Sequence, residues 1–503
     1  KRERGGFEFL TPDQALPYAA ADATDVVRLR DHYKPLLSSE DDLVHVMQLE
    51  TDLQPVVRRM EACGVLLDEG VVNDIYRRAS KSLEYELATM RGLSGMPDLN
   101  PRSTKNLGDL IFHQMNIDHP KFRRKFKRGQ SPPQGWVDAQ TIDLIMNSVR
   151  TSERTEYGNW SKEQVLRFME SKVKYGKVQK IRSTYTTNML SLVSSDGRLH
   201  TEFRLMVVTG RLASSSPNLQ NLPRADDEVV ADLDPRRAFV ADPWYVFVKA
   251  DYAGQEMKII AALSRDPTLL AIFSGEMRDE DGEVIDIHSY VGAQAFDVPY
   301  ISIARAVKAK KNGETLSPEQ LRLVKCRQNA KPVSFGIAYG RTAHGLALKL
   351  GCSLQQAQQL IDSWRTKSFP QAARWLDSQE SYARQTGYTR TAMGRRRRTS
   401  MGAFRGKPYQ VAAVVRELQN HPVQGTAADM TKQAMIRCDR ALEERFGDDA
   451  RMAIVIHDEL ITLAKEEIAE EVGKVMEGAM RCDLYGVEFT ADAEISRDLS
   501  KKG

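Results

Sequence analysis

The sequence predicts a mixed α+β protein in which helix far exceeds sheet. Apolar residues recur at intervals of three and four over long segments such as 161–193 and 353–367, which is typical of helices packed on one side. β-branched apolar runs are confined to YVFVKA (245–250) and RMAIVIHDELITLAKEE (451–467). A chain of 503 residues with 41% hydrophobic and 28% charged residues has the composition of a globular protein with several packed units.

The sequence carries no signal for a membrane or for an oxidising compartment. No apolar stretch approaches the roughly 18 to 20 residues of a transmembrane helix, and the opening KRERGGFEFL lacks the apolar centre of a signal peptide. The five cysteines are scattered without a close pair, which argues against a disulfide framework and a zinc ribbon. We therefore expect no membrane partner and a reducing, cytoplasmic compartment.

Two helices can be bounded from the sequence. The segment 161–193 is predicted as one long basic helix, and 353–367 opens with Ser353, which can cap its first turn. The second helix should end before Phe369, because a residue that precedes a proline avoids the helical conformation. Glycine, proline and acids interrupt the apolar periodicity at three breaks, 129–135, 225–235 and 311–318.

Basic residues are clustered although the net charge is only +4. Each cluster taken alone is more simply a solvated loop, but three in one chain favour an electrostatic track along phosphates. The clusters are KFRRKFKR (121–128), RAVKAKK (305–311) and GRRRR (394–398).

Two acidic positions stand at the ends of predicted strands. His457, Asp458 and Glu459 interrupt the apolar run at 451–467, and Asp251 follows the strand at 245–250. A lone buried carboxylate costs several kcal/mol, so either these are surface turns or something binds there. If neighbouring strands of one sheet bring Asp251 and Asp458 together, Mg²⁺ suits the pair, because it accepts one or two carboxylates together with waters and phosphates.

Between these acids, RQNAKPVSFGIAYG (327–340) carries a stripe of unusual composition. Arg327, Lys331, Phe335 and Tyr339 recur every four residues, so on a helix they share one face. Two cations followed by two rings match the triphosphate and the base of a nucleotide. The alternative is a packing face between helices with extended cationic side chains.

These strings, in this order, resemble family A DNA polymerases, the DNA polymerase I type. R-x-x-x-K-x-x-x-F-G-x-x-Y-G resembles the family's fingers motif, and ADYAGQE and VIHDEL resemble its two catalytic palm motifs. The likeness extends over nearly the whole chain through RRMEACGVLLD (58–68), LNPRSTKNLGDLIF (99–112), TGRLASSSPNLQNLP (209–223), DIHS (286–289) and NHPVQGTAADM (420–430).

The resemblance implies a right-hand polymerase fold, with an antiparallel palm sheet and helical fingers and thumb. The expected partners are primer–template DNA and dNTPs, and the expected cofactor is a pair of Mg²⁺ ions for which Mn²⁺ can substitute. We expect a monomer in a bacterial or phage-infected cell. The expected domains are a remnant of a 3′-5′ exonuclease domain at 1–40, the thumb with its lead-in at 41–190, palm at 191–262, fingers at 263–399 and palm again at 400–503.

The resemblance also assigns roles to individual residues. Asp251, Asp458 and the Tyr252 carbonyl are expected to ligate the metal ions, with Glu459 nearby. Arg327, Lys331 and His288 are expected to bind the phosphates, with Lys331 also protonating the pyrophosphate. Glu256 matches the steric gate against ribose, Phe335 the position that disfavours dideoxynucleotides, and Tyr339 a contact of the templating base, with Gln255 also in the nucleotide set. The expected DNA contacts are Arg211, Asn218, Gln220, Asn221, Arg416, Asn420, Gln424 and His457.

The sequence departs from the family pattern at two places. The family's palm string D-Y-S-Q-I-E-L-R reads DYAGQEMK here, so Gly254 and Gln255 replace Gln and Ile. Pro332 lies within the fingers motif, and because proline removes a helical hydrogen bond, we expect that helix to begin late or to bend there.

The opening YAAADATDVVRLRDHY (18–33) resembles the last motif of the family's exonuclease domain, with Tyr18 and Asp22 in matching places. The partner acids are missing, so we expect no proofreading in this chain, although a longer parent chain could have it. Three alternatives stay open: a nuclease based on Tyr18 and Asp22, a non-catalytic DNA-binding relative, and a single-subunit RNA polymerase.

Overall fold

The computed structural model describes residues 10–38, 40–118, 127, 130–205, 207–223, 231–338 and 340–500. The α-helices of the described residues are α1 (Pro12–Ser38), α2 (Asp41–Cys63), α3 (Glu69–Ser94), α4 (Thr104–Gly108), α5 (Ala139–Thr151), α6 (Lys162–Arg182), α7 (Asn188–Leu190), α8 (Gln255–Ser264), α9 (Pro267–Phe273), α10 (Ile287–Phe296), α11 (Tyr300–Lys311), α12 (Pro318–Ala338), α13 (Ala343–Leu350), α14 (Leu354–Ser363), α15 (Pro370–Thr386), α16 (Pro408–Phe446) and α17 (Ala469–Met480).

The strands are short and antiparallel wherever they pair. They are β1 (Val65–Leu67), β2 (Glu156–Tyr157), β3 (Trp160–Ser161), β4 (Arg198–Leu199), β5 (Glu202–Arg204), β6 (Ala213–Ser215), β7 (Phe239–Val240), β8 (Tyr245–Tyr252), β9 (Tyr388–Arg390), β10 (Arg396–Arg398), β11 (Ala450–Ile456), β12 (Glu459–Lys465), β13 (Cys482–Leu484), β14 (Val487–Phe489) and β15 (Ala491–Ser496). The predicted excess of helix over sheet is confirmed.

The largest sheet of the described residues has four strands, in the order β11-β12-β8-β15. Val248 and Ala250 of β8 pack into the largest core, which also contains side chains of α8, α16 and α17. Phe247, one residue along, packs into a second core together with Ile461 of β12. Because both faces of the sheet are covered, the sequences of its strands are nearly continuous apolar runs. The strands predicted at 245–250 and 451–467 are confirmed.

The predicted helix at 161–193 is shorter than expected. Ser161 caps α6 through a capping box with Gln164, but α6 ends at Arg182 and gives way to a π-helical segment, Ser183–Thr187, and the short α7. Periodicity alone could not reveal this end, because the apolar spacing continues through the π-helical turn. The α3–α6 pair and α5 enclose a separate apolar core.

The predicted helix at 353–367 begins as expected. Ser353 caps α14 and forms a capping box with Gln356, and a π-helical segment, Trp364–Ser368, follows α14 before α15 starts at Pro370. The striped segment lies on α12, which begins at Pro318 and passes through Pro332. The expectation that this helix begins late is therefore wrong, while the alternative of a bend stays a prediction.

The arginine run at 394–398 is engaged with the protein's own acids, contrary to the expected phosphate track. Arg396 pairs with Glu40 and Arg397 with Glu417. Arg395 belongs to a buried ion cluster, which we define as Glu50 of α2, Arg395 of the β9–β10 hairpin, and Asp429 and Lys432 of α16.

The run at 305–311 is also partly neutralised, since Arg305 pairs with Asp281 and Lys308 with Glu283. The third run, at 121–128, lies outside the described residues apart from Lys127. Two of the three basic runs therefore form ion pairs with acidic residues of the same protein.

Helix α1 packs little of its surface. Its described residues include no buried side chain, and Tyr18 is 58% exposed. This arrangement gives the nuclease alternative based on Tyr18 and Asp22 no support. Across the described ranges, no helix combines the length and the apolar character that crossing a bilayer requires.

Candidate functional site

The sheet register brings the two predicted aspartates to one edge. Asp251, near the end of β8, pairs with Glu459, the first residue of β12. Asp458 precedes Glu459 in the turn between β11 and β12. His457 takes a positive φ of 60°, which lets the chain reverse tightly at this point. Residues far apart in sequence therefore meet at one strand end.

A third carboxylate shares this register. On the other side of β8, Asp251 pairs with Asp492 of β15. Directly opposed residues in antiparallel strands point to the same face of the sheet. The edge therefore presents acids from three adjacent strands.

The apolar run tolerates three polar residues because two lie in a turn and the third, Glu459, is paired with a cation. Asp458 is half-buried, whereas Glu459 is buried, and its carboxylate lies 4.0 Å from the guanidinium of Arg236. Arg236 is itself buried and donates through Nε to the Pro223 carbonyl at 3.0 Å. A paired cation offsets part of the cost of burying this carboxylate. The run thus contains both a turn and a buried ion pair.

Tyr252 offers only its main chain to the edge. Its hydroxyl donates to the Met480 carbonyl at 2.7 Å inside the core, and burial raises the pKa of this phenol above its usual range. Any metal contact at this position must therefore come from the carbonyl, as the resemblance implies.

The residues after Asp251 open helix α8. Gly254 has a φ of +64°, a left-handed conformation that strains any other residue type except asparagine or aspartate. Gln255 is buried, and its amide donates to the Ala427 carbonyl at 3.3 Å and contacts the Thr431 hydroxyl at 3.5 Å on α16. This placement indicates a packing role for Gln255 and gives no support to a nucleotide contact.

Glu256, in the first turn of α8, faces an arginine. Its Oε1 accepts a hydrogen bond from Arg211 Nη2 at 3.1 Å, and the Glu256 side chain is only 16% exposed. The positive charge and the directed hydrogen bond of Arg211 together hold the Glu256 carboxylate in place. Both members of the pair were predicted site residues, one for sugar selection and one for DNA.

A small cavity of about 20 Å³ lies between the turn and α16. It has room for about one water molecule. Its walls include Arg211, Gln220, Gln255, Lys432, His457 and Asp458. The structure thus brings five predicted site residues together with a buried lysine that was not predicted.

The striped helix α12 meets the start of α10. Arg327 donates from Nε and Nη2 to the two carboxylate oxygens of Asp286, at 2.8 and 3.1 Å. His288 lies in the first turn of α10, with its ring centroid 5.8 Å from that of Phe335. Lys331 is exposed, and Tyr339 lies outside the described residues. Arg327, His288 and Phe335 therefore form one continuous surface.

Burial shapes the protonation of this surface. Burial of the His288 ring lowers its pKa to about 4, so the imidazole is neutral at neutral pH. Burial opposes ionisation of Asp286, but hydrogen bonds from Arg327 and Ser289 outweigh it and hold the pKa of this carboxyl below its usual range. The region thus combines a fixed carboxylate with a neutral imidazole.

Six of the eight predicted DNA contacts fall into two groups. Asn218 caps a short 3₁₀ turn by accepting from the Asn221 amide at 3.2 Å, the Gln220 amide donates to Ser214 Oγ at 3.2 Å, and the Asn221 carbonyl accepts from Tyr185. The bonds of Asn218 and Gln220 are local turn chemistry, whereas the Tyr185 bond joins this turn to a segment 36 residues away. The second group, Arg416, Asn420 and Gln424, recurs every four residues on α16 and therefore shares one face.

Comparison with known proteins decides the family. The profile described as "DNA polymerase family A" matches residues 71–501.

The chain belongs to DNA polymerase family A.

Relatives of this family A chain cover nearly all of it. It is 32% identical over 473 residues to DNA polymerase I of Chloroflexus aurantiacus, which covers 93% of this chain and 44% of that protein. It is 31% identical over 452 residues to the thermostable DNA polymerase I of Thermus aquaticus, which covers 89% of this chain and 47% of that protein. The chain thus spans about half the length of these relatives.

A solved structure shares the fold. The POL domain of Pol1 from M. smegmatis, in complex with DNA primer–template and dNTP, superposes with a TM-score of 0.74 at 28% identity. The match covers 94% of this chain and 74% of that one. The expected right-hand fold is therefore confirmed, with the four-stranded sheet as its palm, whereas the domain boundaries stay predictions.

Three side chains that shape this family A site were missed. Asp286 had a signal, because an aspartate just before a helix is a typical N-cap, but its arginine partner is 41 residues away. Arg236 and Lys432 had none, because their contacts with Glu459 and Glu50 join segments that are far apart in sequence.

Proposed function

We propose that the chain is a template-directed DNA polymerase that extends a primer 3′-hydroxyl with dNTPs and releases pyrophosphate. The observation that carries the proposal is the register of β8 and β12, which aligns Asp251 with the neighbour of Asp458. Two carboxylates at one strand end, beside a helix that carries cations and a ring, can serve metal-assisted phosphoryl chemistry. The solved neighbour's complex with DNA primer–template and dNTP supports the same substrates.

The donor set of the edge fits Mg²⁺. Asp251, Asp458 and the Tyr252 carbonyl would hold two ions, with Glu459 as a nearby acid, and Mn²⁺ would fit the same oxygens. Among the residues that the structure describes, no group of three or more acidic, histidine or cysteine side chains is arranged to hold a metal ion, so the protein would supply only part of the coordination shell. Open coordination suits Mg²⁺, which keeps positions for waters and phosphates. When bound, the ions would activate the primer hydroxyl and neutralise the departing pyrophosphate.

The side chains of α12 and α10 would bind and orient the triphosphate. Arg327 and Lys331 supply positive charge, and Lys331, being exposed, can deliver a proton to the leaving group. His288 would act as a neutral hydrogen-bond donor, because burial lowers its pKa to about 4. These groups position the reactive phosphate, which is most of what phosphoryl transfer asks of a protein.

Sugar and DNA recognition would use the remaining surface. Glu256, held by Arg211, would crowd a ribose 2′-hydroxyl, and Phe335 offers no hydroxyl to a nucleotide that lacks its 3′-hydroxyl. Arg416, Asn420 and Gln424 would follow the duplex along α16, with Asn218, Gln220, Asn221 and His457 near the primer end. Tyr339 would stack near the templating base.

Primer extension with charge-removing variants tests the proposal. Asp251→Asn and Asp458→Asn should lower single-turnover extension by at least about 10³-fold, since a lost metal ligand forfeits several kcal/mol of transition-state stabilisation. DNA affinity, measured by fluorescence anisotropy, should stay measurable in both.

Asp449→Asn is the matched control. Asp449 pairs with Lys465 at the opposite end of the same hairpin, at 2.8 Å. Its loss should leave extension nearly unchanged. Full extension by Asp251→Asn or Asp458→Asn would refute the proposed role of the edge.

A further inference from the structure

Asp286 caps helix α10 and also pairs with Arg327. As the N-cap of α10, its Oδ2 accepts from the Ser289 amide at 2.8 Å and the Ser289 hydroxyl at 2.7 Å. Its own amide donates to the Tyr300 hydroxyl at 3.0 Å. These bonds fix the carboxylate in place without any contribution from Arg327.

Arg327 meets this fixed carboxylate side-on. The Nε and Nη2 groups donate to the two oxygens of Asp286, which is the fork geometry that arginine also uses for phosphate. The Arg327 side chain is 32% exposed and the Asp286 side chain 39%, so a ligand in solvent can reach the pair. A carboxylate therefore occupies donors that a phosphate would use.

We propose that Asp286 is an internal competitor for the triphosphate, which occupies Arg327 when no nucleotide is bound and weakens the binding of every phosphate ligand. The inference rests on the proposed function and deepens it, because it concerns how the same site selects its substrate. A ligand with several negative charges can displace or share the carboxylate, whereas a weakly charged anion gains too little. Asp286 is thus a specificity-determining residue.

The direction of the effect follows from two opposing contributions. Removing the charge frees the guanidinium and removes repulsion between Asp286 and the phosphates. It also lets the Arg327 side chain move, which costs entropy when the phosphate orders it again. A hydrogen bond between charged groups contributes more than the ordering of one side chain costs, so the net change should favour binding.

Calorimetric titration of the full chain with dATP and Mg²⁺ tests the inference. Asp286→Asn keeps an oxygen to cap α10 but removes the charge, and it should tighten dATP binding by about tenfold, or about 1.4 kcal/mol. Inorganic tripolyphosphate, which depends only on the phosphate contacts, should gain at least as much, while deoxyadenosine should gain nothing. In an Arg327→Ala background only the relief of repulsion between Asp286 and the phosphates remains, so the same substitution should tighten dATP binding clearly less than tenfold.

Asp138→Asn is the matched control. Asp138 caps α5 by accepting from the Thr141 amide at 2.7 Å, the same bond from N-cap to third residue that Asp286 makes. Its loss should leave nucleotide affinity unchanged. Weaker or unchanged dATP binding by Asp286→Asn would overturn the inference, the first result showing that Asp286 orients Arg327 for the nucleotide.

The two proposals fail in distinguishable ways. Primer extension by the unmodified chain, without tighter binding in Asp286→Asn, would remove the competitor role and leave the polymerase intact. Absence of template-directed extension, with the tightening present, would remove the polymerase assignment and leave a phosphate site guarded by a carboxylate.

Discussion

The arginine run at 394–398 and the striped helix α12 carry similar cations in different surroundings. Arg395, Arg396 and Arg397 each meet a carboxylate from outside their hairpin, and the cluster around Arg395 is buried. On α12, Lys331 is exposed and Arg327 is only partly covered by Asp286. A run of positive charge therefore says little about phosphate binding until its acidic partners are known. Periodic spacing with aromatic rings is more informative.

The largest expected difference between the regions is kinetic. Lys331→Ala should lower single-turnover extension by about 10²–10³-fold, because general-acid catalysis contributes on that scale. The midpoint of thermal unfolding should stay within a few degrees, because the side chain is exposed. A destabilised variant with unchanged turnover would instead assign Lys331 to the structure.

The buried ion cluster should show the opposite pattern. Glu50→Gln removes the carboxylate that pairs directly with Lys432, which is 1% exposed, and should lower the free energy of unfolding by about 3 kcal/mol. Urea unfolding measures this change. DNA affinity should hardly move.

Glu417→Gln serves as the control for that experiment. Glu417 of α16 is 58% exposed and pairs with Arg397 of the β9–β10 hairpin. Its loss should therefore lower the free energy of unfolding by less than about 1 kcal/mol. Equal losses for the two variants would contradict the view that the cluster around Glu50 is a buried structural unit.

Each region also buries a neutral histidine, which predicts a common pH dependence. The pKa of His421, beside the arginine hairpin, and that of His288, beside α12, both fall from 6.5 to about 4 through burial. Between these values the unfolded chain binds protons that the folded chain does not. Stability should therefore fall as the pH drops from 6.5 towards 4, with a slope of up to about 1.4 kcal/mol per pH unit for each histidine.

The two histidines can be separated by substitution. His421→Gln should flatten the pH dependence of urea unfolding by about one proton and leave the contribution of His288. An unaltered slope in this variant would mean that His421 titrates normally in the folded state.

A smaller effect is expected at the ring of the stripe. Phe335→Tyr adds a hydroxyl that can replace a hydrogen bond missing from a dideoxynucleotide, so the ratio of dideoxy to deoxy incorporation should rise about tenfold. Competitive single-nucleotide extension measures this ratio. No change would show that the ring lies away from the sugar.

The sequence predicted what depends on local pattern. The helical excess, the strand at 245–250 and the Ser353 cap follow from spacing and capping chemistry, and the sheet register joins Asp251 to the turn that carries Asp458. These features lie on one segment, or on two strands whose ends can meet in a single sheet.

Features that depend on distant partners could not be predicted. Glu50 lies 345 residues from Arg395, and the π-helical end of α6 continues the same apolar spacing. Gln255 is a polar residue at a position expected to be apolar, and only its hydrogen-bond partners on α16 explain it. Tertiary contacts decide these cases, and single-sequence patterns do not contain them.

The proposed function requires that Asp251 and Asp458 hold divalent ions where the primer meets the nucleotide. Anomalous diffraction from crystals of the chain grown with Mn²⁺, primer–template and a non-hydrolysable dNTP tests it most directly. We predict manganese peaks bound by carboxylate oxygens of both aspartates, at about 2.0–2.2 Å. Peaks elsewhere, with neither aspartate as a ligand in a complex that contains nucleotide, would show that the two aspartates do not bind the catalytic ions.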